Sequence, residues 1–486
     1  MGEFHSVIDF GVEASRAVVP YFYRAPFPIN DRRAPKEYQL AGIEYVLARS
    51  HALIGDAPGV GKTAQGIGIS NAIDAKRTLV VCPASLRLNW EREIWMWSTI
   101  PNVATYPVFK SSDGISPDAH YVIISYDLLR NSAILDALLD LRWDHMILDE
   151  AHYIKDPRGN ARTRPLCAPD ALPSVVGRIT MLSGTILPNQ PVEAYNAIRL
   201  LDWSAFDRAS LEDFRETYYT FGEGFINTFD RATKTWKAKW SKKVRNTPVN
   251  LEDFQRRLRS RIMVRRLKED VLHELPRKQW HPFPIRATAA MREALKHPGW
   301  LLAERLYEMD PDAFDCGIPV DGAVATARRL LGEAKAPAVA DYIDDLIDGG
   351  VTKIVVAAWH LSVLADLRDR LSGHGLVYMD GGTSDQNKQK AVDQFQGDEH
   401  IKIILGQTRP IGQGWNLTAA QDVVLAEPDW VPGMNDQLLD RTHRLGQKGD
   451  YILGHIPVVP GTMDERVLAT AIEKDANIHL ALDHHV

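Results

Sequence analysis

Five short apolar runs recur along the first part of the chain: HALIGDAP (51–58), TLVVCPAS (78–85), YVIISY (121–126), HMILDEAH (145–152) and ITMLSGT (179–185). Each is bounded by turn residues, and most are followed by a stretch of helical periodicity. An apolar run without alternation needs both faces of its strand covered. Strands that alternate with helices pair in parallel, because each crossover helix carries the chain back to the same end of the sheet. The rhythm restarts after a long interruption in KIVVAAW (353–359), GLVYMDGG (375–382), IKIILG (401–406), DVVLAE (422–427) and GHIPVV (454–459). An α/β fold with two parallel-sheet domains follows. Between them, residues 204–350 read as charged and mostly helical, with a Pro-rich break around LPRK and FPI (275–285) that reads as a linker.

With 486 residues, 45% hydrophobic and 25% charged, the chain has the material for two cores. A net charge of −6 argues against a wholly basic nucleic-acid coat but leaves a local basic groove open. Cys82, Cys167 and Cys316 lie far apart without CxxC spacing, so neither a disulfide framework nor a zinc site is expected, and the compartment reads as reducing. The first residues lack a basic start followed by an apolar stretch, and no segment reaches about eighteen uninterrupted apolar residues. No export signal and no membrane span are expected.

The first strand runs into GDAPGVGKTAQ (55–65). Gly59 and Gly61 let the backbone close around an anion with its N–H groups inward, Lys62 supplies a point charge to outer phosphates, and the Thr63 hydroxyl suits Mg²⁺ at a helix N-terminus. This is a phosphate loop in which Asp56 occupies the first glycine position of the full pattern. A plain Gly-rich strand-to-helix turn would not need Lys-Thr at that spacing. HMILDEAH ends its strand with Asp149 and Glu150, followed by His152. Ligands of an open α/β sheet bind beyond the carboxyl ends of the strands, so Asp149 is placed to hold Mg²⁺ and Glu150 to orient and deprotonate an attacking water. An acidic strand end is common, and only the upstream phosphate loop gives this one a purpose. In QLLDRTHRLGQ (437–447), Arg441 and Arg444 are three residues apart, between Gln437 and Gln447. On a helix they would leave one face, where two cations repel unless they share an anion.

GxGKT, DEAH, SGT (183–185) and QxxDRxHRxGQ together resemble the superfamily-two helicase motor, and within it the Swi/Snf-type DNA translocase family. The resemblance runs from about residue 27 to about 470 and includes YQLAGI (38–43), VCPASLRLNW (81–90), VRRLKEDVLHELPRK (264–278), GQGWNL (412–417), EPDW (427–430) and GTMDERV (461–467). SLRLNW, LSGT, RRLKEDVL, KAPAV (335–339) and FQ (395–396) are most similar to the fork-remodelling, annealing-helicase branch.

The resemblance implies two RecA-like lobes that share one ATP site. It assigns Gln39 to adenine, Gly414 to the nucleotide, and Arg441 and Arg444 to the γ-phosphate as arginine fingers. Ser183, Thr185 and Gln437 would couple hydrolysis to lobe movement. Ile186 replaces the family's proline, and Arg409-Pro410 replaces small residues before the loop that presents Gly414. Ser85, Arg87, Asn89 and Ser125 stand where the family grips DNA phosphates, and Trp359 and His360, at a strand end, would either touch a strand or belong to the core. RATKTWKAKWSKKVR (231–245) carries seven basic residues and no acidic one. As a strand it puts Trp236 and Trp240 on one face and Lys237, Lys239 and Lys243 on the other, and Lys242 adds to its charge. That suits a basic arm on nucleic acid or, equally, a solvated charge run anchored by its tryptophans.

The expected layout is an N-terminal extension (1–26), an ATP-binding lobe (27–203), a helical insertion with the basic arm (204–274), a linker with a helical segment (275–334) and a second lobe (335–486). The expected function is ATP- and Mg²⁺-dependent translocation on double-stranded DNA that remodels DNA structures (forks, annealing) or displaces bound protein, with double-stranded or branched DNA as the partner of a monomer that makes no use of membranes. A cytoplasmic setting, in a prokaryotic or virus-infected cell, is expected over a nuclear one. A strand-separating helicase and a nucleotide-gated DNA-binding protein with negligible turnover are the rivals.

Overall fold

The computed structural model describes residues 11–20, 34–157, 163–168, 171–184, 191–230, 235–272, 274–300, 322–412, 415–428, 432–444, 446–460 and 465. Two compact units divide the chain. One takes it up to Tyr218 and again from Asn250 to Glu274; the other takes Tyr219–Val249 and Leu275–Asn477.

In the first unit all five apolar runs are strands of one parallel sheet: β1 (His51–Ile54), β2 (Thr78–Cys82), β4 (Tyr121–Ser125), β5 (Trp143–Asp149) and β6 (Val176–Leu182). Two short strands join them, β3 (Thr105–Pro107) and β9 (Met263–Val264), giving the order β3-β4-β2-β5-β6-β1-β9. Helices Glu37–Leu47, Lys62–Ala72 and Arg87–Trp97 cover one face through Ile43, Val46, Ile67, Ile69, Trp90 and Ile94. Burial on both faces removes the need for alternation, which is why the strands read as unbroken apolar runs.

The second unit repeats the architecture with strands β11 (Ile354–Ala358), β12 (Leu376–Met379), β13 (Ile403–Gln407), β14 (Asp422–Leu425) and β15 (Tyr451–Val458). With β10 (Arg277–Pro284) at one edge, its sheet order is β10-β15-β14-β11-β13-β12, all parallel, with an apolar cluster on either face.

Two expectations fail. The Pro-rich break at 275–285 is not a linker: Arg277–Pro284 is β10, the edge strand of the second sheet, paired with β15 over its whole length. Proline lacks a ladder donor and is tolerated at an edge, so Pro282 and Pro284 mark an edge strand here. The insertion is not mainly helical either. Tyr219–Asp230 (β7) and Thr235–Pro248 (β8) form an antiparallel hairpin, with Trp236 paired to Phe229 and Trp240 to Phe225. Aromatic and β-branched residues at two-residue spacing in YTFGEGFINTF favour a strand over a helix. Beyond the hairpin, helix Leu251–Arg261 and β9 return to the first unit.

One buried polar group sets an acid limit on the first unit. His145 stands in β5 with Nδ1 2.7 Å from Ser70 Oγ and Nε2 2.8 Å from Thr180 Oγ1. Burial, reinforced by Arg178, pushes its pKa down to about 3. The folded state therefore keeps it neutral while the unfolded chain protonates it below the ordinary value of about 6.5. Its contribution is fully present above that value and is lost as pH falls toward 3, amounting to about 2 kcal/mol at pH 5. Urea melts at pH 7 and pH 5 should show this loss in the wild type and a smaller one in His145→Gln. Equal losses would remove His145 as the cause.

Candidate active site

Strand register assembles the site. Leu182 of β6 pairs with Ile54 of β1 on one side and with Asp149 of β5 on the other, so the phosphate loop, Ser183 and the Asp149–Glu150 turn leave three adjacent strands at the same level. This is the carboxyl edge, where α/β sheets bind ligands.

The loop closes into helix Lys62–Ala72 through Gly59 (φ 87°) and Gly61 (φ 84°), a backbone region that side chains disfavour. A Cβ on Gly61 would also sit 2.2 Å from Gln39 Nε2. Lys62 Nζ donates to Asp56 O (2.8 Å) and Ala57 O (3.1 Å), which curls the loop around the ammonium. Gln39 Nε2 donates to Val60 O at 3.2 Å, as does the Tyr38 hydroxyl at 3.1 Å. The helix Glu37–Leu47 thus sets Gln39 against the phosphate loop, and Thr63 lies in the first turn of the loop's own helix.

Asp56, the departure from the full glycine pattern, is wholly buried and faces Arg266. Arg266 Nε (2.8 Å) and backbone N (3.0 Å) both donate to its Oδ1, Nη2 donates to Oδ2, and Gln65 Nε2 adds a bond of 2.9 Å. Burial alone would raise the carboxyl pKa, but Arg266 holds it below the usual range. A buried carboxylate with every lone pair occupied fixes the loop as a glycine could not, and removing its partner would leave an uncompensated charge.

Asp149 lies buried at the end of β5. Trp90 Nε1 donates to its Oδ2 (2.8 Å) and Glu150 N to its Oδ1 (3.0 Å), while burial and the adjacent Glu150 push its pKa up to about 6. A carboxylate held ionised against such burial gains from a cation, and Lys62 already favours its charge. Glu150 adopts a left-handed backbone (φ 52°, ψ 53°), rare for a residue with a side chain, and lies 3.4 Å from His152 Nδ1.

In the second unit, helix Pro432–Thr442 carries Gln437 and Arg441 but ends before Arg444. The helical i, i+3 relation between the arginines therefore does not hold. Thr442 Oγ1 turns back to Leu439 O, and Gln447 Nε2 donates to both Thr442 O and Ala420 O at 2.9 Å, which stops the helix. Arg441 is buried in the last turn with Nε on Gly412 O (2.7 Å), whereas Arg444 is half-buried in the following bend with Nε on Asp440 O (3.2 Å).

Edge strand β10 anchors this helix. Lys278 Nζ donates to Asp440 Oδ1 (2.9 Å), Trp280 Nε1 to Asp436 Oδ1 (2.9 Å), and His443 Nε2 lies 2.8 Å from Pro276 O. Sequence reasoning missed Lys278, Trp280, Gln65, Trp90 and Arg266 as positioning groups. The tryptophan three residues after Arg87 and the buried double arginine in VRRLK were the available signals.

The remaining assignments separate by geometry. Arg87 is buried, its guanidinium bound to Ala84 O (2.9 Å), Val108 O (2.8 Å) and Phe109 O (3.3 Å), so it holds a loop. Ser85 and Asn89 are half-buried beside it, and Ser125 caps the end of β4 by accepting from Leu128 N at 3.4 Å. The Trp359–His360 turn is pinned by Glu427, which accepts from both backbone N–H groups (3.0 and 2.9 Å) and lies 2.6 Å from His360 Nδ1. Thr185, Ile186 and Gly414 lie outside the described residues, as do the side chains of Arg409, Pro410, Trp236, Lys237, Lys239, Trp240, Lys242 and Lys243.

Residues 38–315 match the SNF2-related domain family, and residues 338–446 match the helicase conserved C-terminal domain. The DNA annealing helicase and endonuclease ZRANB3 of Homo sapiens is 30% identical over 446 residues, covering 88% of this chain and 38% of that protein. The SWI/SNF-related matrix-associated actin-dependent regulator of chromatin subfamily A-like protein 1 of Xenopus laevis is 29% identical over 446 residues, covering 90% of this chain and 43% of that protein. The chain therefore spans about two-fifths of the length of these curated relatives. The solved Sulfolobus solfataricus SWI2/SNF2 ATPase core in complex with dsDNA aligns with 96% of this chain and 100% of that chain, at 18% identity and a TM-score of 0.42.

Proposed function

Because the chain belongs to the SNF2-related domain family, we propose that it is a DNA-stimulated ATPase that translocates on double-stranded DNA and remodels branched structures such as forks. The observation that carries this reading is the register at Leu182, which brings the phosphate loop, Ser183 and Asp149–Glu150 to one level of one sheet edge.

Gly59, Gly61 and Lys62 hold the phosphates, and Gln39 reads the base. Thr63 and Asp149 are the residues that would hold Mg²⁺, which when bound neutralises charge on the transferring phosphates. The buried, cation-favouring carboxyl of Asp149 fits that task. Glu150 orients water and takes its proton, and Arg441 and Arg444 spread charge on the γ-phosphate. Ser183, Thr185 and Gln437 couple the cycle to movement. DNA phosphates fall to Ser85, Asn89 and Ser125, with Arg87 shaping that surface, and to the lysines and tryptophans of the β8 strand. Curated relatives named as annealing helicases favour remodelling without net strand separation.

A triple-helix displacement assay tests the reading. The intact chain with Mg²⁺ and ATP should strip a third strand from a duplex, yet leave a tailed duplex unseparated. Separation of the tailed duplex would favour the strand-separating helicase, and no displacement would refute translocation.

A further inference from the structure

Two consecutive buried arginines follow β9. Arg266 answers the charge of Asp56, whereas the Nη1 of Arg265 makes a different connection: it donates to Gly55 O at 2.7 Å and to Gly184 O at 3.2 Å. Gly55 is the residue between β1 and the phosphate loop, and Gly184 belongs to the Ser-Gly-Thr turn after β6. The two loops also touch directly, since a Cβ on Gly184 would lie 2.9 Å from Cδ and Cγ of Pro58 in the phosphate loop.

The backbone of Arg265 is itself held. Its N–H donates to Ser15 O (3.0 Å), and its carbonyl accepts from Arg259 Nη1 (3.0 Å). A charged donor bound to two carbonyls on separate loops, on a backbone fixed at both ends, resists movement of either loop without the other.

We propose that Arg265 is a positioning residue that transmits movement of the phosphate loop on nucleotide binding to the Ser183–Gly184 turn. The proposal rests on the ATPase reading above and adds the residue through which the nucleotide state reaches the coupling turn. Lysine preserves the charge but lacks the planar fork, so Arg265→Lys should loosen the tie while keeping the buried cation. Gly184→Ala leaves Arg265 intact and attacks the same junction by crowding Pro58.

The test is hydrogen exchange on the full chain with and without ADP–beryllium fluoride, read in peptides over 55–65 and 179–187. In the wild type the nucleotide should slow exchange in both. In Arg265→Lys and in Gly184→Ala the phosphate-loop peptide should remain protected, while the nucleotide-dependent slowing in the 179–187 peptide should fall about fivefold or more. The ATP consumed per third strand displaced should rise in both variants, a change that simple loss of fold would not give. Wild-type slowing retained in the 179–187 peptide by both variants would overturn the role of Arg265 and leave the ATPase reading standing. Absence of phosphate-loop protection in the wild type would overturn both.

Discussion

Glu150→Gln should bind nucleotide with near wild-type affinity and lose about 10²–10⁴-fold in turnover, the range for removal of a general base. The two carboxylates at the end of β5 occupy different surroundings. Asp149 is buried, with an oxygen bound to Trp90 and another to the Glu150 amide, and burial pushes its pKa up to about 6. Its geometry suits a fixed ligand. The side chain of Glu150 retains 21% exposure on a left-handed backbone, so its carboxylate, 3.4 Å from His152 Nδ1, meets solvent. Glutamine keeps the size and one acceptor but cannot take a proton. Lys62→Ala should weaken binding and turnover together, because the ammonium both shapes the loop through Asp56 O and Ala57 O and supplies charge to phosphate. Fluorescent-nucleotide binding with single-turnover hydrolysis separates the two cases, and near-normal turnover in Glu150→Gln would remove it from the mechanism.

The ten short apolar runs were legible because a strand covered on both faces writes its own signature, and each is a strand of the expected sheet. What escaped reading lacked that signature. β9 is only Met263–Val264, too short for any periodicity, and it is followed by two arginines that resemble surface until their partners are known. β10 was hidden by its prolines, which an edge position tolerates. The phosphate loop and the Asp149–Glu150 turn are local patterns of a few residues. Their supports are not: Arg266 meets Asp56 across 210 positions, and Lys278 meets Asp440 across 162. Such pairings follow from the order of strands in a sheet, which short motifs do not encode. The helix break before Arg444 depends likewise on Gln447 reaching Ala420 O, a contact made by the fold.

The two arginines should differ in what their removal costs besides rate. We infer from the family resemblance that both act on the γ-phosphate, where an arginine finger is worth about 10³–10⁵ in turnover. Arg441 also ties Gly412 O through its Nε and accepts from Leu417 N at its own carbonyl. Arg441→Ala should therefore lower stability by about 1–3 kcal/mol as well as rate, since Gly412 O loses a charged donor. Half-buried Arg444, beyond the helix end, should lose rate with a nearly unchanged melting temperature. Nucleotide affinity should fall only modestly in both, because the fingers strengthen mainly toward the transition state. The most direct measurement is the kcat of ATP hydrolysis by the intact chain at saturating duplex DNA, beside the same rate without nucleic acid, for wild type and Arg444→Ala. The wild type should be strongly stimulated by duplex and Arg444→Ala should lose about 10³-fold or more of that rate; a wild-type rate indifferent to duplex, or full stimulation in the variant, would contradict the account.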